Sequence, residues 1–170
     1  VFLTMPLMME GKSTNILGDP PRNPQANIAN RLFLQRVILI GLAIALPGFA
    51  IYFHFGSPAV VDGQLVNPLL LTQAQTAAFW AVLLVHIGFV MSARSVHQSA
   101  FTFSPFSNRW LLAGILASIL IRLLPTFNPF FSSIFRTAAF PLEWWWIIIP
   151  CLLPGFIMLE LHKWLCPRIN

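Results

Sequence analysis

The chain has 170 residues, of which 57% are hydrophobic and only 9% charged, and its mean hydropathy is +0.75. That is more apolar surface than a soluble domain of this length can hide in one core, which excludes a soluble enzyme and implies a membrane protein. The formal net charge of +5 does not point to nucleic acid, because the basic residues flank apolar runs and do not cluster among aromatics.

In chain order, residues 1–9 (VFLTMPLMM) are apolar but too short to span a bilayer, and read as the tail of a preceding membrane helix. No charged segment followed by a small-residue cleavage site is visible, so the start is expected to be a cut from something longer and not a signal peptide. Residues 10–31 are polar and turn-rich, and Pro20, Pro21 and Pro24 break any continuous helix, so a cytoplasmic loop is expected there. Residues 32–170 then read as one four-helix transmembrane domain with spans near 33–55, 73–94, 109–127 and 141–165.

The first span has no formal charge from Val37 to Phe55 and contains Pro47, where a kink is expected. Gly56 to Pro68 has the composition of an exposed connection. The second span, centred on Thr76 to Ala93, would reach ~27 Å at ~1.5 Å per residue, close to the ~30 Å of bilayer hydrocarbon. Its small residues Ala74, Ala77, Ala81, Gly88 and Ser92 share one stripe that would admit a close helix neighbour. His86 points nearly opposite that stripe, near the middle of the expected span. It is either a neutral, hydrogen-bonded residue joining two helices or a group facing an ion or proton path, since ionisable groups at membrane depth are commonly functional.

Asn108 fits the N-cap of the third span, where Ala113, Gly114, Ala117 and Ser118 offer further small-residue packing. Arg122 interrupts this span. It is expected to snorkel to the far interface or to pair with Glu143. Asn128 to Phe140 reads as a loop. The fourth span opens at Pro141 with Glu143 at the positive end of the helix dipole, and Trp144, Trp145 and Trp146 as an interfacial belt. Pro150 and Pro154 should bend it, and Glu160, His162 and Lys163 mark its exit, with Glu160 and Lys163 as an interfacial ion pair. Cys151 and Cys166, ~22 Å apart on one helix, cannot form a disulfide.

Lys12, Arg22, Arg31, Arg36, Arg94, Arg109, Lys163 and Arg168 fall on one side of such a topology, and Arg122 and Arg136 on the other. The positive-inside rule therefore places both ends in the cytoplasm, and four spans satisfy that parity. The expectation is an all-α, multi-pass integral membrane protein. No phosphate-binding loop, metal-ligand set or other catalytic constellation appears, so no catalytic, metal or cofactor residue is assigned.

Met9 to Arg22 (MEGKSTNILGDPPR) resembles the cytoplasmic loop after the sixth membrane helix of P2-type cation-transporting ATPases, through Glu10, Lys12, Ile16, Pro20, Pro21 and Arg22. The segment ARSVHQSAF, then SNRWLL, NPFFSSIF and ELHK follow in the order of the last four helices of those pumps, so the resemblance covers nearly the whole chain. It implies a part that buttresses the transport helices of an ATP-driven cation pump. Its partners would be the lipid bilayer, the pump's remaining membrane helices and cytoplasmic domains, and the transported cation. It also implies ATP and Mg for the full-length pump, whose phosphorylation and nucleotide-binding parts are not in this chain. The eighth helix of the family can supply one ion ligand, glutamate or glutamine, and that position falls on His86. Imidazole suits hard calcium poorly, so calcium is not inferred, and sodium, proton coupling or loss of one site stay open. The alternative from another class is a stand-alone four-helix accessory or structural subunit without transport activity.

Overall fold

The computed structural model describes residues 3–9, 31–94, 99–102, 104 and 106–165. The expected loop at 10–31 lies almost entirely outside the described residues, as does Cys166. The described part is all-α apart from one small hairpin. Its helices are α1 (Arg31–Gly56), α2 (Pro68–Ser92), α3 (Arg109–Phe127), α4 (Pro129–Phe135), α5 (Trp145–Ile148) and α6 (Leu152–Leu165), with a short 3-10 helix at Met5–Met9. Four stretches are long and apolar enough to cross a membrane: Phe33–Ala59, Pro68–Ser92, Arg109–Phe127 and Leu142–Leu165.

Two helix starts depart from expectation for one physical reason. Asn67 caps α2 by accepting from Leu70 N at 3.0 Å, and Pro68 occupies the first turn, where its missing N–H costs nothing. The helix thus begins at Pro68 and not near 73, and ends at Ser92. Asn128 does the same for α4, accepting from Phe130 N at 3.0 Å ahead of Pro129, so the expected loop at 128–140 contains a short helix. Asn108 caps α3 as expected, its side chain accepting from Leu111 N at 2.9 Å.

The connection after α1 carries β1 (Val60–Val61) and β2 (Gln64–Leu65), paired antiparallel around Asp62 and Gly63. Both turn residues have positive φ, 50° and 75°. Asp-Gly at such a turn matches the twist of its flanking strands. In the fourth span, a 3-10 helix at Leu142–Trp144 leads into α5, and a second at Ile149–Cys151, around Pro150, leads into α6.

α2 is the axis of the bundle, packed on one side by α1 and on another by α6, while α3 touches it far less. The small residues expected to face a neighbour do so: Ala74, Ala77, Ala81, Gly88 and Ser92 are all buried. The core adds Ile51, Trp80, Val85 and Ile148. Trp144 and Trp145 correct the expected belt, because they turn inward: Trp144 stacks on Phe55 with centroids 3.9 Å apart and Trp145 meets Trp80 edge-on at 5.0 Å. Trp146 alone of the three is turned outward, 84% exposed.

Candidate functional site

The face of α2 turned away from its small-residue stripe is left open. Gln75, Phe79, Val82 and His86 recur along it at helical spacing, and grooves lie on both sides. The groove toward α1 holds about 290 Å³ and the groove toward α3 about 650 Å³, with Phe79 and Val82 bordering both. His86 lies in the larger one, half-buried, together with Ser118 and Arg122 of α3. Among the described residues its imidazole has no hydrogen-bond partner.

The early start of α2 moves His86 away from the middle of its helix. At ~1.5 Å per residue it sits ~27 Å from Pro68 and only ~9 Å from Ser92, in the last third of the helix and not at its middle.

Arg122 is the second ionisable group in the groove. Its guanidinium carbon lies 4.5 Å from the centroid of the Phe79 ring, a cation–π contact. It forms no ion pair with Glu143, which is exposed in the 3-10 helix ahead of α5, and the expected pairing is thereby overturned. Thr126, one turn beyond Arg122, accepts a hydrogen bond from Trp80 Nε1 at 2.9 Å. Ser118 Oγ is turned back onto Gly114 O at 2.8 Å.

A separate polar cluster, at the C-terminal end of α2, was only half legible. Glu160 and Lys163 do pair, at 2.8 Å, but the pair is enclosed and not set at a solvent exit. Ser92 Oγ donates to Glu160 Oε1, Ser99 Oγ donates to Oε2 at 2.6 Å, and Ala100 N donates to Oε1 at 3.2 Å. Lys163 Nζ donates to the carbonyl of Ser92, placing a cation where the dipole of α2 is negative. His162 is also buried, its Nδ1 accepting from Arg36 Nε at 3.4 Å. The partners of Glu160 lie far away in sequence, so local spacing could disclose only Lys163. With its acceptors filled by the chain itself, this cluster is a clamp between α2 and α6, not a reactive site.

Among the described residues no group of three or more His, Cys, Asp or Glu side chains converges as a metal site. No Cys, Asp, Glu or second His among the described residues lines the groove with His86.

The family described as cation transporting ATPase, C-terminus, matches residues 1–165. A calcium-transporting ATPase of Bacillus subtilis is 31% identical over 159 residues, covering 91% of this chain and 16% of the relative. A cation-transporting ATPase of Synechocystis is 27% identical over 161 residues, with the same two coverages of 91% and 16%. The chain thus spans about 16% of the length of these curated relatives.

Proposed function

The chain belongs to the family of cation-transporting ATPase C-terminal membrane regions, and from that premise we propose that it buttresses the transport helices of an ATP-driven cation pump and lines the ion path at His86. The observation that carries this reading is the open face of α2, which leaves a polar residue facing a groove of about 650 Å³ while the rest of the helix is packed. Lipid chains would not satisfy an imidazole there, whereas further helices of a pump would.

On this reading residues 1–9 are the tail of the preceding membrane helix, 10–31 form a cytoplasmic loop, and 32–170 form the transmembrane domain with both ends cytoplasmic and its helices bent at proline. ATP and Mg are used by parts of the pump outside this chain, and what this chain supplies is a scaffold and one wall of the ion path. The Bacillus relative is named for calcium, but imidazole at position 86 favours a softer or proton-coupled site over one for calcium alone. A stand-alone accessory subunit is not favoured, because the match is to the C-terminal region of much longer pumps.

The test is made in the full-length protein, by comparing His86→Gln and His86→Ala for cation-stimulated ATP hydrolysis across pH at matched expression. A wall of the ion path predicts altered apparent cation affinity or an altered pH profile, with glutamine the milder change because it keeps a polar group. Unchanged affinity and pH dependence, with only thermal stability lowered, would make His86 a packing residue.

A further inference from the structure

We infer that Asn108 is a positioning residue for the groove that holds His86, its side-chain amide fixing residues 3–9 across the end of that groove. The inference rests on the proposed function and deepens it by naming what borders the path beside His86 and which group holds that border in place.

Leu3 and Thr4 line the same groove as His86. Leu3 is buried against Ile87, Val90 and Leu111, and Ile87 is the residue after His86 on α2, so this stretch lies at the His86 end of the groove. Phe131, Phe135 and Thr137 line the groove beyond the far end of α3. From Leu3 the chain continues into the 3-10 helix Met5–Met9, five residues long. So short a 3-10 helix has few and poorly aligned bonds of its own, and it takes its position from what it is fastened to.

The fastening is Asn108. Its Nδ2 donates to Pro6 O at 3.2 Å, while its Oδ1 accepts from Leu111 N at 2.9 Å. The cap of α3 settles which way the amide points, because only the oxygen can accept from Leu111, and the nitrogen is then left facing the Pro6 carbonyl. Asn108 is 5% exposed, so water does not readily replace either bond. Its own place is braced from the end of α2: Arg94 donates to Ser104 O at 2.9 Å and to Ser107 Oγ, immediately ahead of Asn108. One side chain thus ties α2 and the start of α3 to the stretch that borders His86. A cap needs only an oxygen, which Asp or Ser supplies as well. The donor to Pro6 is what asparagine adds.

The experiment uses the full-length protein with two substitutions. Asn108→Asp keeps a capping oxygen and sets a second oxygen where the donor to Pro6 was; Asn108→Ser keeps a capping oxygen but is too short to reach Pro6. Hydrogen exchange at the Leu7 amide, which donates to Thr4 O at 3.1 Å, should quicken roughly tenfold, about the worth of one hydrogen bond, while the amides of α3 keep their protection. Apparent cation affinity should weaken with turnover at saturating cation retained. Combined with His86→Gln, the loss of affinity should be less than additive, because both changes act on one wall. Unchanged exchange at Leu7 overturns the fastening, and exchange that quickens throughout α3 overturns it too, since the substitution would then act through the cap. Quicker exchange at Leu7 with wild-type cation affinity, or strict additivity with His86→Gln, overturns the positioning role. If Asn108→Asp fails to accumulate, Asn108→Ser decides the same question. A parent protein without cation-stimulated ATPase activity refutes the pump reading itself, while exchange at Leu7 still decides whether Asn108 holds the stretch.

Discussion

Gly88 of α2 and Leu152 at the start of α6 approach so closely that a Cβ built on Gly88 would lie 2.0 Å from the Leu152 carbonyl oxygen. The contact is reciprocal along the same crossing, since a Cβ on Gly155 would lie 2.2 Å from the carbonyl oxygen of Val85. Both obstacles are backbone atoms, which cannot rotate aside. Small residues at a crossing allow this approach, and without a hydrophobic drive between helices in lipid the close packing is what holds the pair together. Gly88→Ala and Gly155→Ala should therefore each force the helices apart and cost ~3 kcal/mol or more, the upper end of overpacking penalties. Gly41→Ala, with nothing near its added Cβ, is the control. Melting of the detergent-purified full-length protein checks this: equal stability of all three variants would disprove the crossing.

One turn further along α2, at Ser92, the clamp around Glu160 makes a different forecast. Glu160→Gln leaves the ammonium of Lys163, which is 7% exposed, without its anionic partner. Breaking a buried pair from one side costs about 3 kcal/mol, while removing both charges costs less because no uncompensated ion remains. Glu160→Gln should thus be worse than Glu160→Gln combined with Lys163→Met. A double-mutant cycle on melting temperature reads the difference, and strict additivity of the two changes would show that the pair is not coupled.

The bilayer makes some features of such a chain easy to read and hides others. Runs the length of its hydrocarbon core announce four helices, and the alanines and glycine of α2 announce a packed stripe, because both follow from periodicity within one segment. The starts at Pro68 and Pro129 were obscured because Asn-Pro reads as a turn signal, although Asn as cap and Pro in the first turn is equally a helix opening. Asp62-Gly63 between short apolar pairs was a hairpin signal that went unused. What no local pattern could disclose is pairing at a distance: Glu160 with Ser92 and Ser99, Trp144 with Phe55, and Arg122 with Phe79 in place of Glu143. His86 shows both sides of this. Its membership of the face opposite the stripe was legible from helical geometry, whereas its place along the helix shifted once Asn67 moved the start.

Orientation can be checked directly. Single cysteines at Ser57 and Ser133, both exposed in the connections at one end of the bundle, should react with an impermeant maleimide from outside intact cells, once Cys151 and Cys166 have been replaced. A cysteine at Ser13, in the expected cytoplasmic loop, should react only after permeabilisation. The basis is the excess of Lys and Arg on the other side of the four spans. The reverse labelling pattern would invert the topology and with it the face assigned to the cytoplasm.

Three hydrogen bonds tie α2 to the end of α3 and to the segment between α4 and α5, and they lead to the last forecast. Trp80 Nε1 donates to Thr126 Oγ1 at 2.9 Å, Ala138 N donates to Thr76 Oγ1 at 3.1 Å, and Gln73 Nε2 donates to Ala139 O at 2.7 Å. Thr76, Trp80 and Thr126 are each no more than 2% exposed. Thr126→Val keeps the shape but removes the acceptor of a buried indole N–H, so about 1–3 kcal/mol should be lost. Thr126→Ser keeps the acceptor and should recover most of that loss, less a small cost for the missing methyl. Thr76→Val should act more locally, by freeing the Ala138 amide: hydrogen exchange there should quicken while the amides of α6 keep their protection. If Thr126→Val and Thr126→Ser melt together, the Trp80 bond contributes nothing. If Thr76→Val leaves exchange at Ala138 unchanged, the segment is held by its packing on Phe140 and the tryptophans and not by these bonds.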